Sequence, residues 1–146
     1  MKKVANYNIS LKVFLKNNKW EVLVLKTPDS SSYMWNYDLA WWRIDENEFY
    51  VDLLDILDRE IKEEVWNIKY NIINKPVAVS RHRAEYIDHT EDIFYIFYEA
   101  EIISWNISIS DEHSDYKWVI LNDIILEDYF ISWILDGTKM YLNKKK

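Results

Sequence analysis

The sequence predicts an α/β protein, a mixed sheet covered by helices, on three observations. Short β-branched and apolar runs recur along the chain; one segment has helical instead of alternating periodicity; and the two kinds of element interleave with no linker or repeat between them. Leu11–Leu15 and Glu21–Leu25 are apolar runs flanking a polar Lys16–Lys19, the pattern of a hairpin. Residues 27–32 (TPDSSS) read as a loop by their Pro, Asp and Ser content. Over residues 51–65 (VDLLDILDREIKEEV), Leu53, Leu54, Leu57, Ile61 and Val65 form one helical stripe, with Asp52, Asp55, Asp58 and Lys62 off it. Pro76–Val79, Asp92–Ile103 and Tyr116–Leu121 read as strands, and Asn122–Leu135 as a second helix.

The 146 residues suit one domain, expected over 1–143 with a basic tail at 144–146, and 49% apolar content is enough for a single core. Lys+Arg 18 against Asp+Glu 25 leaves a formal charge of -7, which argues against nucleic acid as a partner. The absence of cysteine excludes disulfides, thiolate nucleophiles and cysteine metal sites. No apolar run reaches the ~18 residues of a membrane span and no signal-peptide core follows Met1, so the expectation is a soluble cytoplasmic protein with no membrane partner.

Candidate chemistry centres on Arg59-Glu60-Ile61-Lys62-Glu63-Glu64. Glu60, Glu63 and Glu64 stand at i, i+3 and i+4 and project from neighbouring helix positions. Read alone, this is a solvated acidic turn balanced by Arg59 and Lys62. It is equally the donor set a hard divalent ion accepts, since Mg²⁺ takes a few carboxylates together with water and substrate phosphates.

The surroundings shift that balance. Leu39 to Glu48 (LAWWRIDENE), followed by Arg59-Glu-Ile-Lys-Glu-Glu-Val-Trp66, resembles the Nudix box: Gly, five residues, Glu, seven residues, then Arg-Glu-aliphatic-x-Glu-Glu-x-Gly. Arg59, Glu60, Ile61, Glu63 and Glu64 match its second half, and Glu48 matches the first Glu if Trp42 stands at the Gly. Downstream, Ser110 to Val119 (SDEHSDYKWV) is similar to the Glu-His…Tyr-x-Trp segment of family members acting on dinucleoside polyphosphates or on pterin and nucleoside triphosphates. The likeness covers nearly the whole chain and implies a three-layer α-β-α sandwich. Three features depart from the pattern. Ten residues instead of seven separate Glu48 from Arg59, Asn47 stands where Gly is frequent, and the box glycines are Trp41, Trp42 and Trp66.

That last departure fits the composition. Ordinary usage of ~7% predicts about ten glycines; the chain has one, Gly137, against eight tryptophans. Trp20 falls in a hairpin turn, Trp35 before a strand and Trp105 before Asn106, all natural glycine sites, and only Trp118 matches a family Trp. Glycine serves where backbone needs positive φ or close approach to phosphate. A gene whose UGA codons mean glycine, translated with UGA as tryptophan, gives this pattern; a divergent Trp-rich protein is the other reading.

The resemblance implies hydrolysis of a diphosphate linkage in a nucleoside diphosphate joined to another moiety. Mg²⁺ or Mn²⁺ would sit on Glu60, Glu63 and Glu64 with Glu48 in support, and Arg59 would orient a box glutamate. Glu112 and Asp115 are candidate general bases, with Glu112 counted among the catalytic residues beside Arg59, Glu60, Glu63 and Glu64. His113 and the Arg81-His82-Arg83 cluster each have a structural reading as well, as a core histidine and a solvated strand end. The expected partner is a small nucleotide, and a homodimer is left open. The alternative is the same fold as a catalytically impaired nucleotide- or partner-binding module, with real tryptophans at 41 and 42 filling the pocket. An acidic α/β interaction domain with an accidental REIKEE is the third reading.

Overall fold

The computed structural model describes residues 1–27, 36–104, 107–110, 113 and 115–144. Strand β1 (Asn8–Lys16) turns back into β2 (Val22–Lys26) through a tight turn, pairing Lys16 with Val22. The Asn17 side chain fastens that turn by accepting from the backbone N–H of Lys19 (2.9 Å) and Glu21 (3.0 Å). There follow β3 (Tyr37–Asp38), β4 (Ala40–Arg43), helix α1 (Leu53–Glu64), β5 (Val65–Trp66), β6 (Tyr70–Ile72), β7 (Ala78–Glu85), β8 (Thr90–Ile102), β9 (Ser108–Ile109), β10 (Asp115–Val119), a short α2 (Leu126–Tyr129) and α3 (Ser132–Lys144). β1 lies at the centre, parallel to β8 from Asn8↔Ile93 to Lys16↔Glu101 and antiparallel to β4, with Leu11 opposite Trp42 and Lys12 opposite Trp41. β6 and β7 pair antiparallel with the far edge of β8, while β2 carries β3 and β10. The sheet is therefore mixed.

Alternation along β1 sorts the two faces. Leu11, Val13 and Leu15 point to one side and pack with Ile56, Leu57, Ile61 and Val65 of α1 and its end. Phe14 points to the other, with Phe97, Phe130, Ile134 and Tyr141 around α3. Helix, sheet and helix form three layers, the α/β sandwich expected. α3 lies so close to the sheet that a Cβ on Gly137 would fall within 2.8 Å of three ring carbons of the fully buried Phe97. Among the described residues no helix is long and apolar enough to cross a membrane.

Some elements differ from the sequence reading. The strand begun at Pro76 starts at Ala78 and runs to Glu85, because proline offers no N–H to the ladder and β8 is long enough to pair throughout. Arg81, His82 and Arg83 therefore lie inside a strand and not at its solvated end. The helix read over 122–135 is interrupted. Ile124 and Phe130 have extended backbone (ψ 158° and 139°), and α3 begins only at Ser132. β-Branched Ile124 and Ile125 favour that extension, and turning the chain there buries Phe130 in the core. The short strands β3 to β6 and β9 carry too few residues to show a period. Of the loop read over 27–32, residues 28–32 lie outside the described part.

Candidate active site

Asp52 starts α1 by accepting from the Leu54 N–H (2.8 Å), a normal helix N-cap. The buried face that follows is Ile56, Leu57, Glu60, Ile61 and Glu64: the apolar stripe continues into two carboxylates. Glu60 and Glu64 stand three residues beyond Leu57 and Ile61, so the helical period that buries those side chains buries theirs. Glu63 falls off the stripe, with a side chain 60% exposed. The three glutamates thus sit in two environments.

Glu48 ends a single 3-10 turn (Glu46–Glu48) and is buried beside α1. Its Oε2 accepts from the Asp45 N–H (2.9 Å) and the Trp42 indole N–H (3.4 Å), and Arg59 donates to its Oε1. Arg59 also donates to Glu60 Oε1 through Nε (3.1 Å) and Nη2 (3.0 Å), so one guanidinium ties the two carboxylates together. The ten-residue spacing therefore still delivers Glu48 to the helix. The Asp45 backbone bond, with help from Arg59, holds the Glu48 carboxyl below its ordinary range. Glu60 goes the other way: burial, assisted by the charges of Glu63 and Glu64, outweighs Arg59 and pushes it up to about 7. Burial raises Glu64 too. Its Oε2 accepts from the Trp41 backbone N–H (3.3 Å) and lies 3.9 Å from Nε2 of His113.

Trp41 and His113 lead from α1 into a cavity of about 460 Å³ on the α3 side of the sheet. Its walls include Tyr95, Trp133 and His82, with Lys12, Asp38 and Arg43 as polar members. His82 stacks on Trp133 at 3.7 Å, and the Tyr95 and Trp133 rings are parallel within 9°. His113 is buried, its Nε2 facing the Glu64 carboxylate and, among the described residues, neither ring nitrogen within ordinary hydrogen-bond geometry of a partner.

Asp115 opens β10 as an exposed residue whose carboxylate accepts from the Tyr116 N–H (2.8 Å). Glu112 lies outside the described residues, as do Trp35 and Trp105. The basic cluster separates: Arg83 forks onto Asp92 (2.6 and 2.9 Å), Arg81 reaches the Tyr7 hydroxyl (3.3 Å), and only His82 of the three stands among both the cavity walls and the aromatic stack. The sequence reading missed Lys12, Asp38 and Trp133. A lysine inside Leu11-Lys-Val-Phe-Leu15, in phase with Phe14, was the available signal for a charge facing inward.

Positive φ is not the common property of the tryptophans. Among the described residues other than glycine it occurs at Trp20 (66°) and Asn67 (62°) alone. Trp41 and Trp42 have the backbone of a strand paired with β1, so nothing in φ asks for glycine there.

The donor chemistry suits a hard divalent ion: oxygen ligands only, two of them buried, with Glu60 pushed up to about 7 chiefly by burial. Among the described residues, no three acidic or histidine side chains converge tightly enough to hold an ion as they stand. The exposed Glu63 lies with its Oε1 3.9 Å from Nε of Arg59, on the same guanidinium as the buried Glu48 and Glu60.

No protein-family model matches the chain, and no curated protein matches it significantly. Solved structures do. The MutT protein of Methanosarcina mazei Go1 is 21% identical, covers 96% of both chains and superposes with a TM-score of 0.73. The Escherichia coli dihydroneopterin triphosphate pyrophosphohydrolase is 17% identical over 80% of this chain and 84% of its own, with a TM-score of 0.60. A Caenorhabditis elegans Ap4A hydrolase is 19% identical over 92% and 90%, with a TM-score of 0.58. The chain has the fold of the Nudix hydrolases, and the resemblance read from the sequence holds at that level.

Proposed function

We propose that this chain is a Nudix-type pyrophosphohydrolase that cleaves a diphosphate linkage in a nucleoside diphosphate joined to another moiety. One observation carries the reading: Glu64, a buried carboxylate of α1, meets Trp41 and His113, which line an aromatic-walled cavity of nucleoside size. Solved structures of the same fold point the same way, since one is named for dihydroneopterin triphosphate and another for Ap4A.

Glu60, Glu63 and Glu64, with Glu48 beside them, would hold Mg²⁺ or Mn²⁺. When bound, the ion supplies positive charge against the phosphate oxygens and lowers the pKa of attacking water. The protein's part is positioning. Arg59 fixes Glu48 and Glu60 relative to each other, and the Trp41 N–H fixes Glu64 Oε2. The cavity walls hold the base away from water and point the diphosphate toward α1.

Release of phosphate or pyrophosphate from a nucleotide panel with Mg²⁺ tests this. Turnover that falls about 100-fold or more in Glu64→Gln, with the fold intact, is the expected result. The second reading, a binding module, has its own observation: the Trp41 ring occupies the cavity wall 5.3 Å from the Lys12 ammonium. Nucleotide binding without turnover, persisting when 41, 42 and 66 are glycine, would establish that reading in place of the hydrolase.

A further inference from the structure

Lys12 is 1% exposed and forms an ion pair with Asp38, Nζ to Oδ1 at 2.6 Å. Both residues line the cavity. Alternation on β1 gives that position to the face of Phe14, where an apolar side chain would pack without the desolvation cost that a buried ion pair carries. Asp38 Oδ1 also accepts from the Leu39 N–H (2.6 Å), which completes that oxygen; among the described residues no hydrogen bond is seen to Oδ2. The ammonium sits between the faces of Trp41 and Tyr95, at 5.3 and 5.4 Å from their ring centres. The pair therefore offers a donor and an acceptor side by side between aromatic rings.

We propose that Lys12 and Asp38 read the base of the nucleotide, selecting a fused-ring oxo base: a carbonyl oxygen on the Lys12 ammonium and the adjacent ring N–H on Asp38 Oδ2. This rests on the cavity being the nucleotide site. An ammonium only donates and a carboxylate only accepts, so the pair demands an edge carrying one acceptor beside one donor. Adenine also sets an acceptor beside a donor, but with the acceptor a ring nitrogen of one lone pair and the donor exocyclic; a carbonyl oxygen has two in-plane lone pairs and meets an ammonium over a wide arc, with the donor fixed in the ring. Lysine on a guanine carbonyl is a common specific contact for the same reason. A cavity of about 460 Å³ takes a bicyclic base with room for its ribose. Lys12 and Asp38 are specificity residues and touch no reacting atom.

Calorimetric titration of the intact protein with GMP, IMP and AMP, without metal, tests the pair separately from hydrolysis. These monophosphates have no diphosphate to cleave. GMP and IMP share the carbonyl and ring N–H and should bind at least about tenfold tighter than AMP. Asp38→Asn turns the acceptor into a mixed group and should bring GMP and AMP within about threefold; Lys12→Met should weaken GMP while leaving AMP nearly unchanged. Equal affinity for the three ligands, tighter AMP, or no binding of any at millimolar concentration overturns the proposal, and the wild-type ranking decides it even if both variants fold poorly. Hydrolysis of the triphosphates in Mg²⁺ is scored independently. Turnover without base preference removes the base-reading pair alone, and base preference without turnover removes the hydrolase alone.

Discussion

The two halves of the site are made in opposite ways. The carboxylates come from one helix and the turn before it, and the period of α1 alone decides that Glu60 and Glu64 are buried and Glu63 is not. The cavity is assembled from β1, β3, β4, β7, β8 and α3, and its shape depends on how closely those elements approach. Their electrostatics differ as well. In the cavity each buried charge faces an opposite one, Lys12 against Asp38. On α1 burial, assisted by the charges of Glu63 and Glu64, outweighs Arg59, and Glu60 is pushed up to about 7. A pocket built around a satisfied ion pair thus adjoins, through Glu64, a cluster that gains from a cation, the division of labour that the proposed hydrolysis needs.

The sharpest way to break this comparison is at Gly137. A methyl there meets the Phe97 ring within 2.8 Å, and that ring is fully buried, so α3 must move off the sheet. Gly137→Ala should lose about 3 kcal/mol in urea unfolding. Because α3 supplies Trp133 and Ile134 to the cavity, nucleotide affinity should fall with it, while Mn²⁺ affinity at α1 on the other face stays within about threefold. Equal losses at both would mean that the two halves are mechanically one.

A second prediction uses the burial of Glu60. The Glu60 carboxyl has its folded pKa raised above the unfolded 4.5 to about 7, so between those values the folded state holds more proton than the unfolded. Stability from this group is then full below about 4.5 and falls as pH rises toward 7. In metal-free protein, Glu60→Gln should match the wild type near pH 5 and exceed it by about 2 kcal/mol at pH 8. Added Mg²⁺ should erase that advantage by stabilising the ionised wild type. Melting curves at the two pH values, with and without metal, check both signs; an advantage that persists in Mg²⁺ would place the ion elsewhere.

What the sequence disclosed follows the same division. The β1–β2 hairpin, α1 and its acidic turn were legible because their signals are periods carried by neighbouring residues. That Glu60 and Glu64 extend the stripe of Leu57 and Ile61 was also present in the spacing, although the three glutamates read as one face. Asp38 was illegible, since a two-residue strand has no period and its role arises only when β3 pairs with β2 near the parallel contact of β1 and β8. The helix over 122–135 was misplaced because apolar residues there satisfy a helical stripe, while the burial of Phe130 breaks the chain before α3.

The smallest effect bears on the tryptophans and lies outside both halves of the site. Trp20 is 72% exposed with φ 66°, a conformation that disfavours any Cβ, and its indole covers the Lys16 ammonium at 4.9 Å. Trp20→Gly should relieve roughly 1–2 kcal/mol of backbone strain and forfeit about 0.5 kcal/mol of cation–π attraction, a net gain of about 1 kcal/mol with nucleotide and metal affinity unchanged. Trp41→Gly and Trp42→Gly should instead cost stability, because both residues have strand backbone and half-buried rings. Glycine at those two positions would serve the cavity and the diphosphate, not the fold. Reading the codons at 20, 41, 42 and 66 separates the causes. UGA at all four would make glycine the native residue both where the backbone demands it and where only the substrate would. UGG at 41 and 42 with a stabilising Trp20→Gly would leave true tryptophans beside the carboxylates and shift the balance from hydrolase to binding module.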